Sequence, residues 1–436
     1  MRRQKRRAPY TLTIDNLSHE GRGVGRHEGK TVFVRGALPG ETVVAQPLKR
    51  RGSFDEAVAL EILTPSAQRI VPRCVHAEVC GGCSLQHLDP DDQVAHKESV
   101  LFELLRHQAG IEPVTRLPAL RGPTWGYRRK ARLGVKYVEK KGGALVGFRE
   151  KAAPYVADIE TCCVLLPEVG ERLLALRELV NGLSIPNRIP QIEVSAGDDD
   201  VALVVRHLEA LSGSDLARLA DFQADSGLGI YLQPGGEDSV HALNDATPAL
   251  SYRIDELSIA FAPTDFTQVN GAMNRNMIAT VIAALQPGPD DRVLDLYAGL
   301  GNFSLPLAVH AGHVHGIEGS DDLVTRAREN AAANSLANTS FAVANLADPD
   351  AVDRIDLTAT TMMLLDPPRT GADVIVDRLK LRGLKRIVYV SCNPVTLARD
   401  TKAIVERHGF TLTAAGIMDM FPHTSHVESI AIFNPS

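Results

Sequence analysis

The stretch DRVLDLYAGLGNFSLPLA, residues 291 to 308, restricts the possible folds more than any other part of the chain. A short apolar run reaches Asp295, Gly299 and Gly301 follow, and a helical pattern starts behind them, which reads as strand, tight turn and helix. Glycines in such a turn let the backbone approach a ligand closely, and the helix N-terminus adds a favourable field. From about residue 266 to the end, strand-like and helix-like segments alternate, the pattern of a doubly wound parallel sheet. Sheets of that kind bind ligands beyond the carboxyl ends of their strands.

Several chemically capable residues are placed at that edge. A dinucleotide fold asks for a third glycine where Ser304 stands. Asp295 can instead accept from an amine, which the amino-acid end of S-adenosyl-L-methionine offers and a pyrophosphate does not. The segment VHGIEGS ends a second strand in Glu318, suited to both hydroxyls of a ribose. TMMLLDPPR ends another in Asp366, held by Pro367 and Pro368 where a planar base can be read by its N–H. RIVYVSCNP puts Cys392 at the break between a buried strand and a helix, and HTSHVES puts Glu428 at the start of the last strand. A cysteine is often only a small buried hydrophobe. At this edge it is a candidate nucleophile. Uracil C5 is a poor nucleophile until a thiolate adds at C6, and a base must afterwards take the C5 proton so that the thiol can leave. Cys392 and Glu428 suit those two roles.

The rest of the chain points to RNA and to a cysteine-bound centre. With 436 residues two or three domains are expected. No apolar run has membrane-spanning length and no signal sequence is evident, so a cytoplasmic protein without membrane association is expected. The net charge of −6 hides two basic islands: residues 1 to 52 carry 12 Lys+Arg against 4 Asp+Glu, and residues 121 to 151 carry 10 against 2. Such islands read as a phosphate-binding footprint. Residues 9 to 63 alternate and turn like a small closed barrel, a common single-strand binder. Cys74, Cys80 and Cys83 follow C-x5-C-x2-C spacing, and Cys162 or Cys163 is available as a fourth ligand. Four thiolates fit tetrahedral zinc or an iron-sulfur cluster equally by spacing. Residues 91 to 110 read as an amphipathic helix with Val94, Val100, Leu101, Leu104 and Leu105 on one face and Gly110 as its cap. The run GYRRKARLGVKY reads as a strand whose basic side chains could line an RNA groove.

DFTQVN, DLYAGLGNFSLPLA, LLDPPR, VSCNP and HTSHVES occur in the order found in the RNA uracil-C5 methyltransferases, and the chain resembles that family over essentially its whole length, in particular the members that act on 23S rRNA. The resemblance implies a multidomain fold: a TRAM, OB-like basic β-barrel over 1–64; a central α+β domain with a [4Fe-4S] cluster over 65–90 and 124–262; and a Rossmann-like α/β class I methyltransferase domain over 91–123 and 263–436. It implies methyl-donor contacts at Gln268, Tyr297, Asn302, Glu318, Asn345 and Asp366, a nucleophile at Cys392 and a general base at Glu428. The implied cluster ligands are Cys74, Cys80, Cys83 and Cys162. The family pattern has a proline after the last ligand, where this chain has Cys163. The implied partner is 23S rRNA, with no stable protein partner and a monomeric state. A tRNA-directed member would lack the basic barrel and the cysteine group, and an NAD-dependent dehydrogenase fails on Ser304 and leaves Cys392 without a task.

Overall fold

A computed structural model of the chain describes residues 8–151 and 153–436. The arginine-rich start, residues 1–7 of the first basic island, lies outside the described residues.

Five strands, Tyr10–Leu17, Gly23–His27, Lys30–Arg35, Thr42–Arg50 and Phe54–Thr64, close into a barrel in the order first, second, third, fifth, fourth. Alternation builds it: Leu12, Ile14, Val32, Val34, Val43 and Ala45 point inward while their sequence neighbours face out. Gly21 adopts φ +72°, and a Cβ there would stand 2.9 Å from Leu85 and 3.2 Å from Ser425, so the barrel lies against two distant segments at this turn.

A six-stranded sheet follows, in the order His241–Ala242, Gly229–Gln233, Val201–Arg206, Gln191–Ala196, Lys130–Val138, Gly143–Gly147. Its core joins Leu133, Val135, Val194 and Leu203 to Leu176 and Leu219 of the helices Leu173–Asn181 and Gly213–Ser226. Ion pairing takes up much of the basic run here. Lys130 and Arg132 both pair with Glu193 on the neighbouring strand, at 3.1 and 3.3 Å, and Arg129 pairs with Asp198 at 2.5 Å. Only Arg132 and Lys136 of that strand's cations are exposed, so the expected basic groove wall is thin at this strand.

The third unit is an eight-stranded sheet in the order Thr339–Val343, His313–Glu318, Arg292–Leu296, Met362–Leu365, Arg386–Ser391, Glu428–Pro435, Phe410–Met418, Thr115–Arg116. The first five strands are parallel, and Glu428–Pro435 runs antiparallel between Arg386–Ser391 and Phe410–Met418. Both faces are covered, which explains the continuous apolar runs. Val293, Leu364, Val388 and Val390 pack toward the helices Gly271–Leu285 and Asp321–Ala333. Leu296, Leu365, Ile387 and Tyr389 pack toward Pro90–Leu104 and Pro394–His408. The helix expected over 91–110 thus spans Pro90–Leu104, continues as one π-turn over Leu105–Ala109 and ends at Gly110 with φ 72°. No helix among the described residues is long and apolar enough to cross a membrane.

Tyr389 is wholly buried in the central strand, and its hydroxyl donates to Asp400 Oδ2 at 2.7 Å, which also accepts from Ala372 N at 2.8 Å. Tyr389→Phe removes one donor from a buried carboxylate that keeps two others, Ala372 N and Arg399 Nε, the latter at 2.8 Å. It should lower unfolding stability by about 1–3 kcal/mol in urea denaturation, with the slope unchanged.

Candidate active site

The glycine turn after Arg292–Leu296 is built under strain. Tyr297 has φ 67°, a left-handed conformation that disfavours a side chain, and Gly299 and Gly301 follow at φ +56° and +95°. A Cβ at Gly301 would fall 2.7 Å from Leu305. Strained non-glycine backbone of this kind costs about 1–3 kcal/mol and concentrates at binding sites. The turn then feeds the short helix Ser304–Ala308.

Asp295 is buried at the end of its strand. Ser304 Oγ donates to its Oδ2, while Oδ1 is buried with no partner. Ser304 therefore fixes this carboxylate, a role its position in the sequence did not disclose. Burial pushes the Asp295 carboxyl up to about 7, against the opposing Ser304 hydrogen bond. Glu318 ends the adjacent strand and accepts from the backbone N–H groups of Gly299, Gly319 and Ser320 at 3.1, 2.7 and 3.1 Å. These bonds aim its carboxylate over the turn. Asn302 faces the other way: it exchanges two hydrogen bonds with Asn274, at 2.8 and 3.0 Å, and accepts from the Tyr252 hydroxyl at 2.8 Å. Asn345 lies exposed just beyond Thr339–Val343, its Oδ1 accepting from Ala347 N. Gln268 is half-buried in the connection before Gly271–Leu285, two residues from Phe266, which is 71% exposed.

Cys392, Asp366 and Glu428 come together at the same edge. Cys392 stands between Ser391, the last residue of its strand, and Asn393, whose side chain caps the helix Pro394–His408. Asn393 Nδ2 also donates to Arg369 O at 2.9 Å, which ties the cysteine turn to the Asp366–Arg369 turn. A helix N-terminus ordinarily favours a thiolate. Burial outweighs it here, and with the charges of Glu428 and Asp366 it pushes the Cys392 thiol up to about 11, Arg369 opposing. Asp366 is pushed up to about 7, by burial and then by Asp295. Glu428, 4% exposed, is raised well above the ordinary carboxylate range by burial and by Asp366. Cys392 thus feels Glu428 and Asp366, Glu428 feels Asp366, and Asp366 feels Asp295, which links one thiol and three carboxyls in a chain of like charges. Arg369, on the surface beside His426 at 3.4 Å, is the nearby cation. Nothing in the sequence marked it beyond its place after Pro367 and Pro368.

Cys74, Cys80, Cys83, Cys162 and Cys163 all line one small pocket, with Gly82, Gln86 and Phe148. None is in a disulfide. Burial raises the thiols of Cys74 and Cys80, and pushes Cys83 up to about 11 and Cys162 up to about 12. Cys162 feels the charges of Cys83 and Cys80, whereas Cys163 lies within hydrogen-bond reach of Cys74. Among the described residues no group of three or more His, Cys, Asp or Glu side chains is arranged to hold a single metal ion.

A model of the tRNA (uracil-5-)-methyltransferases matches residues 249–434, and a TRAM domain model matches residues 3–46. The 23S rRNA (uracil(1939)-C(5))-methyltransferase RlmD of Alkalilimnicola ehrlichii is 52% identical over 435 residues, covering 99% of this chain and 98% of that protein. The chain belongs to the RNA uracil-C5 methyltransferase family. The RlmD of Alcanivorax borkumensis is 49% identical over 436 residues, covering 99% of this chain and 98% of that protein. Among solved structures, Pyrococcus abyssi tRNA (uracil-54, C5)-methyltransferase, in complex with S-adenosyl-L-homocysteine, aligns with TM-score 0.74 at 24% identity, over 97% of this chain and all of that one. At that identity the likeness is one of fold. The closed barrel is thus a TRAM domain, and the eight-stranded unit has the methyltransferase fold of a family that takes its methyl group from S-adenosyl-L-methionine.

The orphaned Asp295 oxygen and the raised Asp366 suit a cationic methyl donor. Both carboxyls are raised above their unfolded values, so their contribution to stability is complete below about pH 4 and is lost as pH rises through about 7. Donor binding works against those protons. Affinity for S-adenosyl-L-methionine should rise by up to about tenfold per pH unit per proton released between pH 5.5 and 7, then level off. Calorimetry in buffers of different ionisation enthalpy should detect the released protons. A flat affinity over that range would exclude the linkage.

Proposed function

We propose that the protein methylates C5 of a single uridine of 23S rRNA, the one equivalent to position 1939 in the names of its relatives. The observation that carries this reading is Cys392 at the carboxyl edge of the sheet, sharing one electrostatic field with Asp366 and Glu428. Whole-length identity near one half to the RlmD proteins favours rRNA over tRNA as substrate.

In the proposed cycle the carboxylate of Asp295 receives the amino group of S-adenosyl-L-methionine and Glu318 the ribose hydroxyls. Tyr297, Asn302, Asn345 and Gln268 line the approach, Asn302 through its backbone, because its side chain is committed to Asn274. The target uracil lies between Asp366 and Cys392. In the free protein burial raises both the Cys392 thiol and the Glu428 carboxyl, which favours the protonated form of each. The sulfonium of the donor supplies the missing positive charge, lowering all of these groups together with Arg369. The Cys392 thiol then gives its proton to solvent as its sulfur bonds to uracil C6, and the resulting enolate attacks the methyl carbon through C5, releasing the neutral thioether. Glu428 takes the C5 proton, the C6–sulfur bond breaks to release the Cys392 thiolate, and a proton from solvent restores the thiol.

The cysteine pocket fits a [4Fe-4S] cluster held by Cys74, Cys80, Cys83 and Cys162. Each thiolate of such a cluster binds a different iron, so the sulfurs need to ring a space instead of meeting at one point as zinc requires. When bound it supplies a covalent cross-link between the 74–83 hairpin and the 161–164 turn. The TRAM barrel supplies affinity for RNA through phosphate contacts that position the substrate without reading its sequence.

Glu428→Gln keeps nucleophile and donor, so incubation with RNA and S-adenosyl-L-methionine should leave a denaturation-resistant protein–RNA conjugate bearing one transferred methyl. Cys392→Ala should give no conjugate and no product. Near-normal turnover by Glu428→Gln would assign the proton to another base. For the cysteine centre, anaerobically purified protein should contain iron and sulfide in near-equal amounts; Cys162→Ser should lose them and Cys163→Ser keep them. Stoichiometric zinc without sulfide excludes the cluster.

A further inference from the structure

Glu428 is the first residue of its strand, and Met418, the last of the preceding strand, is its partner in the ladder. The sheet therefore holds Glu428 from one side only. On the other side the ladder with Arg386–Ser391 stops at Ser429, and the connection 419–427 that leads into Glu428 takes a course set by one face of the helix Pro90–Leu104.

Gln93 and Lys97, one helical turn apart, are 1% and 0% exposed. Lys97 Nζ lies 2.6 Å from Asp419 Oδ1 and donates to Phe421 O at 3.0 Å. His423, at φ 66°, donates its N–H to Gln93 Oε1 at 2.8 Å, and Gln93 Nε2 lies 3.3 Å from His423 Nδ1. The same amide nitrogen donates to Leu85 O and Leu88 O at 3.1 and 2.8 Å. From the cysteine hairpin, Ser84 N and Leu85 N donate to His423 O at 2.9 Å, and Ser84 Oγ accepts from Ser425 N at 3.0 Å. Trp125 stacks on His423 with centroids 3.8 Å apart, and Tyr127 donates to Pro422 O at 3.1 Å.

A buried ion pair is a weak stabiliser, since well-packed apolar residues often do as well. A buried amide making this many bonds across 330 residues is likewise poorly explained by helix stability. Both side chains converge on the one segment that leads into Glu428. We propose that Gln93 and Lys97 are positioning residues for Glu428: they fasten the 419–427 connection to the helix, and Gln93 joins it to the cysteine hairpin, so that the carboxyl meets the C5 proton. The inference rests on the reading of Glu428 as the base. It assigns these residues to the last chemical step, after the carbon–sulfur and carbon–methyl bonds have formed.

That timing gives a readout that general loosening would not produce. Two variants of the full-length protein are compared by rapid quench on the same RNA: Gln93→Met, and the double variant Lys97→Met with Asp419→Leu, which leaves no unpaired buried charge. In each, conjugate formation should proceed within about twofold of the unaltered rate and KM for RNA should hold, while product release slows tenfold or more, so methylated conjugate accumulates. If Gln93→Met does not fold, the double variant carries the test. Equal slowing of formation and release, or unaltered release, overturns the proposal. Glu428→Gln run alongside separates the two ideas. Conjugate with Glu428→Gln and none with either variant sinks the positioning role alone, whereas free turnover by Glu428→Gln removes the base assignment and this inference with it.

Discussion

Three carboxyl groups, Asp295, Asp366 and Glu428, lie at the carboxyl edge of one sheet where burial makes every negative charge costly. Like charges close together resist ionising in such a place: Asp295 raises Asp366, and Asp366 raises Glu428. The surrounding structure manages this constraint. Ser304 stabilises one oxygen of Asp295 and leaves the second unpartnered. Pro367 and Pro368 stiffen the turn that holds Asp366, and Asn393 bonds that turn to the one bearing Cys392. Glu318, by contrast, is satisfied by three backbone N–H groups. For the proposed donor the crevice is thus half prepared: Glu318, assigned to the ribose hydroxyls, is fully bonded, whereas Asp295, assigned to the amino group, keeps one unpartnered oxygen.

Much of this was legible in the chain because it is local. Gly299 and Gly301 announce the turn, Asp295 and Glu318 end adjacent strands, and Cys392 interrupts a buried run, all within windows where periodicity is informative. The barrel was legible for the same reason. What escaped the sequence depends on long-range pairing. Gln93 and Lys97 are polar residues at helical spacing from Val94, Val100 and Leu101, and only the fold brings their partners Asp419 and His423, more than 300 residues away, against them. The basic run 128–132 read as groove lining because nothing local shows that Glu193 and Asp198 neutralise it. Asn302 lies in the right turn, yet Asn274 on another helix decides where its side chain goes.

Those long-range contacts also relate the three units to one another. The turn His423–Ser425 meets Gly21 of the barrel, Ser84 and Leu85 of the cysteine hairpin, and Gln93 of the helix. A Cβ at Gly21 would crowd Ser425 directly. The catalytic edge is therefore not assembled by the methyltransferase sheet alone. The barrel, at Gly21, and the segment after the cysteines, at Ser84 and Leu85, both touch the connection that leads into Glu428, so the first two units help to hold it in place.

The buried carboxyls also bear on the order of events in the proposed cycle. While the donor is a sulfonium, its charge holds Glu428 ionised and favours the thiolate of Cys392, so addition to C6 is easiest then. Methyl transfer turns the sulfonium into a neutral thioether, and the stabilising charge disappears from the crevice. Glu428 is left ionised in surroundings that strongly favour its protonated form. Its basicity rises at the moment when the C5 proton has to be removed. In that cycle the burial that disfavours the Glu428 carboxylate in the free protein favours its taking up a proton once the methyl has moved. The position of the carboxyl must then be fixed in advance, because its reactive interval is set by the charge of the donor and not by a movement of the loop.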